Sequence, residues 1–176
     1  EDVVDDALLN ELIANVSGRF ELECNRRFAR TAGATYEFRA DLMNIPVDRY
    51  PIESVTKFEL KITETGGWSD AVADYLLSPT KSRIELASAL GTSAEIARVT
   101  FTGGFVLPGG TVSAGQTALP AELEEACLRQ CGFIFQNRQR LGISSVSGEG
   151  GSVSTLVKDF LPDVEAVLRK YERWEN

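Results

Sequence analysis

The sequence predicts an α+β fold: a mainly helical bundle of about three helices with an inserted antiparallel β subdomain. Three observations predict it. Apolar residues recur at helical spacing near the start, after residue 120 and again after residue 160. Short alternating runs, punctuated by Gly and Pro, fill the middle. Each helical segment also places acids at its front and bases at its back, as the helix dipole favours. The boundaries that follow are a helical platform of residues 1–33 and 113–176 and a β-rich insert of residues 34–112.

The first element rests on Val4, Leu8, Leu12, Val16, Phe20, Cys24 and Phe28, which follow one another at steps of four with Leu9 and Ile13 beside them. Steps of four drift around a helix of about 3.6 residues per turn, so this stripe should wrap and meet more than one neighbour. Ala32-Gly33 reads as its stop. In the middle, residues 35–39 alternate, and residues 55–62 alternate with Val55 out of step or on a bulge. Residues 75–77, 83–86 and 97–101 are shorter strand candidates. Ile45-Pro46, Tyr50-Pro51, Gly66-Gly67, Ser78-Pro79 and Gly91 read as breakers, and the whole suggests a small antiparallel sheet or partial barrel.

The second helix, 119–140, carries Leu123, Cys127, Cys131 and Ile134 on one face, which Leu141 continues just past its end, with Pro120 in its first turn. The third, 160–173, carries Leu161, Val164, Leu168 and Tyr171. Between them lies LGISSVSGEGGSVSTL, residues 141–156, which reads as a long flexible loop. Loops of this length in a compact domain are usually functional or disordered.

Composition narrows function. The chain has 176 residues and a net charge of −8, with acids outnumbering bases over residues 1–30, 31–119 and 120–176 alike. An acidic chain is poorly suited to wrapping DNA, which needs clustered Lys and Arg. It can still line a path along which DNA slides. No apolar run approaches the roughly 18 residues of a membrane span, so no membrane role is expected. Residues 1–11 carry acids and no base, unlike a signal peptide, and a start at Glu1 fits a trimmed leader. Asn15-Val16-Ser17 matches a glycosylation acceptor but falls within a predicted helix.

The chain has no His, which excludes Ser-His-Asp and Cys-His catalysis. Cys24, Cys127 and Cys131 form no CxxC and read as small core residues, not as metal ligands. FTGGFVLPGGT lacks both the GK[ST] of a P-loop and a GxGxxG, and reads as a strand end and turn. Carboxylate pairs such as Asp41 with Asp48 and Glu124 with Glu125 carry no spacing that marks an acid/base pair. No catalytic residue, metal ligand or cofactor is therefore expected. Arg138, Arg140 and Lys158 flank the flexible loop, either complementing helix ends or forming a partner patch. Arg169, Tyr171, Arg173 and Trp174 either pack on the bundle or form an interface, where Arg and aromatics are enriched. Together these seven residues are the candidate assembly interface.

Three pieces carry a family resemblance: an opening helix ending in NRRF; a strand running into VTFTGGF and then LPAELEEACLRQ; and NRQRLGISSVSGEGGSVSTL followed by LPDVEAVLRKYER. In this order they resemble the head–tail connector, or adaptor, proteins of tailed bacteriophages, most weakly over 41–95. The resemblance implies a structural, non-enzymatic subunit of the virion neck, made in the host bacterial cytoplasm. It implies a homo-oligomeric ring of about a dozen copies below the portal protein, touching an adjacent neck or tail protein. DNA would pass through without being held tightly. The C-terminal helix or the flexible segments would reach the portal, and the Gly/Ser loop would order on assembly. The alternatives are another neck component, such as a head-closure or tail-completion protein, or a carboxylate-dependent enzyme with its site in the β insert.

Overall fold

A computed structural model of the chain describes residues 3–138, 145–148, 151–154 and 160–173. The chain divides into two compact units: a helical one of residues 1–24 and 120–172, and a strand-rich one of residues 25–119 and 173–176.

In the helical unit, α1 (Val3–Glu23) packs on α2 (Ala121–Gln136), and α2 on α3 (Pro162–Tyr171). Their shared core is Val16, Phe20, Cys24, Leu123, Ala126, Cys131, Val164 and Leu168. Phe20 meets Phe160 edge to face, with ring centroids 5.6 Å apart. The buried Gln130 amide oxygen accepts the Leu161 N–H at 3.0 Å, which satisfies a donor ahead of α3. Pro162 opens α3 within its first turn, where the missing N–H costs nothing.

Two boundaries differ from the sequence expectation. Helix α1 ends at Glu23, well before Ala32-Gly33, because Asn25 turns left-handed at φ 49° and stops it. Phe28 continues the four-step count but is buried in the strand-rich unit, beside the Arg26 guanidinium. Pro120 caps α2 from outside, and α2 ends at Gln136. The front-acid, back-base pattern holds fully in α3, with Asp163 and Glu165 leading and Arg169 and Lys170 closing. It fails at the last turns of α1 and α2, whose expected bases lie beyond the helix ends.

The strand-rich unit holds two antiparallel sheets. The first orders β1 (Thr31–Arg39), β7 (Ile96–Gly103), β3 (Ile52–Lys61) and β4 (Ser69–Ala71) as β1-β7-β3-β4. The second orders β2 (Asn44–Pro46), β6 (Arg83–Leu86) and β5 (Tyr75–Leu77) as β2-β6-β5. Strand β7 is central and alternates cleanly: Ala97, Val99 and Phe101 face the core while Arg98, Thr100 and Thr102 face outward. Phe38, Phe58, Ile45, Ile84 and Leu86 complete one core between the sheets. The register shifts between Val55 and Lys57, the bulge that puts Val55 out of step. Ile45-Pro46 is a strand and not a breaker; β2 is an edge strand, where Pro is tolerated. At the end of β7, a Cβ on Gly103 would meet the Arg49 carbonyl oxygen at 2.7 Å. Gly104, at φ 101°, presses on the backbone of Ala29. The GG of VTFTGGF thus lets two chain segments approach closely.

The chain is α+β, as the sequence predicts, but it is not helix-dominated: helix and strand share it about equally. Part of the Gly/Ser loop is itself a strand pair. In the stretch of 141–156, β8 (Ser145–Gly148) pairs antiparallel with β9 (Gly151–Ser154); its other residues lie outside the described ones.

Candidate assembly surfaces

One cleft of the helical unit is lined by Glu122, Glu125, Ala126, Arg129, Asp163, Val164 and Val167. Its carboxylates are all engaged. Glu122 accepts from Lys170 Nζ at 2.8 Å and from the Tyr171 hydroxyl, and these bonds hold its carboxyl below the usual Glu range. Arg129 donates to Asp163 at 2.9 Å and pairs with Glu125 as well, which lowers Asp163. A general acid needs a raised carboxyl, so Glu122 and Asp163 are tuned the opposite way. In the strand-rich unit, buried Glu59 accepts from Lys57 and Arg98, each at 2.9 Å, and is also held low. Burial, with Cys127 adjacent, pushes the Cys131 thiol up to about 12, so it stays neutral and unreactive. Among the described residues no cluster of His, Cys, Asp or Glu could hold a metal ion. No described helix is long and apolar enough to cross a membrane.

The expected interface residues have distinct positions. Tyr171 spends its hydroxyl on Glu122, tying α3 to α2. Arg173 belongs to the strand-rich unit, where it donates to the Asn25 carbonyl at 2.8 Å, the Pro46 carbonyl at 2.9 Å and the Tyr36 hydroxyl at 3.3 Å. Arg169 is exposed and pairs with Glu165 one turn earlier at 2.7 Å. Arg138 is exposed and folds over the Phe135 ring, 4.2 Å from its centroid. Each of these four has a contact within the chain. Arg140, Lys158 and Trp174 lie outside the described residues.

Surfaces the sequence reading did not single out are apolar and exposed. Among the described side chains of the stripe, Val16 and Phe20 are buried on α1, as is Cys24 just past its end. Leu8 is 37% and Ile13 40% exposed. The signal was present in the spacing: each step of four overshoots a full turn by roughly 40°, so Leu8 points almost opposite to Cys24. In the strand-rich unit, Val72 is 99% and Leu76 73% exposed. Leu76 is in register with Glu85, and Glu85 with Asn44, on the outward face of the three-stranded sheet. Arg98 covers the Trp68 ring at 4.2 Å in the other sheet.

No protein-family model matches this sequence, and no curated protein matches it. Solved structures do match, along nearly its whole length. A chain from the neck of the empty GTA particle, with C6 symmetry, superposes at a TM-score of 0.61 and 16% identity, over 98% of this chain and 80% of its own. One from the neck of the native GTA particle, with C12 symmetry, gives 0.54 and 17%, over 99% and 85%. One from the virion of the native gene transfer agent particle gives 0.54 and 17%, over 97% and 79%. The fold of this chain is thus the fold of chains that stand in the neck of gene transfer agent particles.

Proposed function

We propose that this chain is a structural head–tail connector, or adaptor, of a tailed-phage-type virion: a ring subunit below the portal that links capsid to tail and lets DNA pass. The observation that carries the proposal is the correspondence of fold with neck chains over 98% of the sequence. The C6 and C12 symmetries of those necks favour a ring of identical copies. Exposed apolar residues on α1 suit contact between subunits. A net charge of −8 suits a conduit that releases DNA. In this reading the helical unit is the platform, the strand-rich unit is the insert, and the role is not enzymatic. Arg138 and Arg169 are the described members of the candidate interface with exposed cations available to a portal. Synthesis is in the host bacterial cytoplasm and the working location is the virion neck.

The test is negative-stain microscopy of the purified protein, alone and mixed with a portal ring from the same virion. A second ring stacked on the portal is the expected result. Docking instead to the next ring toward the tail would reassign the chain as a head-closure or tail-completion protein. A monomer that ignores both would remove the neck role.

A further inference from the structure

The ribbon formed by β8 and β9 pairs rung by rung: Ser145 with Ser154, Val146 with Val153, Ser147 with Ser152, and Gly148 with Gly151. Each rung joins a residue to its own kind, so SVSG and GSVS are mirror sequences about Glu149-Gly150. Both outer edges of the ribbon therefore offer the same residues in opposite chain directions. Two residues separate Gly148 from Gly151, which makes that rung a hydrogen-bonded pair, and by alternation Val146/Val153 is another. The backbone groups of Ser145, Ser147, Ser152 and Ser154 are left to the edges. Among the described residues neither strand pairs with a third. A lone two-stranded ribbon is marginal in water, and this one has a single Val pair as its apolar content. Edge strands that must stay alone carry charges, Pro or bulges. These strands carry no charge and no Pro, and their register has no shift.

The geometry points to lateral pairing between copies of this chain, in which the β9 edge of one copy adds to the β8 edge of the next. Around a rotational axis all ribbons point the same way. A β9 and the neighbouring copy's β8 then run antiparallel, the sense already used within each ribbon. The mirror sequence lets the junction between copies repeat the rungs found inside one copy. Each copy gives one edge and accepts one, the head-to-tail contact that closes a ring. This deepens the proposed ring role and rests on it.

Wild type, Ser147→Pro and Ser152→Pro are compared by native mass spectrometry and amide exchange. Either Pro removes an outward N–H and spares the ribbon's own bonds. Wild type closes rings, and its 145–154 amides exchange ~10-fold or more slowly in the ring than in diluted, separated copies. Neither variant closes a ring alone. Mixed together they stop at heterodimers, because Ser147→Pro keeps a sound β9 edge and Ser152→Pro a sound β8 edge. Rings from each variant, with 145–154 exchanging as in separated copies, would overturn the inference while leaving the ring role standing. A wild type that stays monomeric beside a portal ring would overturn both.

Discussion

Single residues report how tightly the helical unit is tied. Glu122 is held below its ordinary pKa chiefly by Lys170, then by Tyr171. Its folded value lies below its unfolded one, so its contribution is present above the ordinary carboxylate range and is lost as pH falls through it. The melting temperature should therefore drop below about pH 5. Glu122→Gln should lower it at neutral pH and shrink the acid-side drop; an unchanged profile in this variant would show that the Lys170 bond carries no stability. Cys131 is 5% exposed and Cys127 is only half-buried. Cys131→Asp should cost on the order of 3 kcal/mol, an unpaired buried charge, and Cys127→Asp clearly less, as read by denaturant midpoints. The native Cys131 thiol should resist alkylation at mildly basic pH. The sequence marked the two cysteines as one core face, but the buried face of α2 runs through Leu123, Ala126, Gln130 and Cys131. A buried Gln is invisible to an apolar count, because its place depends on the distant Leu161 N–H.

At the scale of elements, regular periods were readable and local stops were not. Strands β1, β3, β6 and β7 lie where the sequence placed them, within a few residues at their ends, and the three-residue β5 lies where a short candidate was set off between the breakers Gly66-Gly67 and Ser78-Pro79. The short strands β2 and β4 have three residues each, too few to show a period. Helix α1 was overrun because Phe28 keeps the spacing while a single left-handed Asn25 breaks the helix. The front half of α1 has its own consequence. Replacing Leu8 and Ile13 together by Ser should change monomer stability by about 1 kcal/mol or less, since both are well exposed. The same double variant should lose ring assembly in sedimentation experiments. Rings as stable as wild type would show that α1 faces solvent in the assembly. Replacing Leu168, which is 1% exposed on α3, by Ala should cost about 2–5 kcal/mol instead.

For the molecule as a whole, the α+β class was legible from the switch in period between the ends and the middle of the chain. The balance was not: the short β strands outweigh their weak sequence signal, and the expectation of a mainly helical chain gave way to near parity. Two members of the candidate interface, Tyr171 and Arg173, have intramolecular partners that only the fold reveals. The acidic balance leads to a whole-molecule prediction: double-stranded DNA at about 150 mM salt should migrate unshifted beside the protein in a gel. A shifted band would show a basic track hidden within the net −8. Arg173 has a last consequence, for synthesis. It bonds the Asn25 carbonyl across 148 residues, and it also reaches Pro46 and Tyr36. While the ribosome is still translating α2 and α3, the strand-rich unit lacks this clasp. Its first-made strands must wait for nearly the last residues described before that corner is fastened, so a prematurely terminated chain leaves it open.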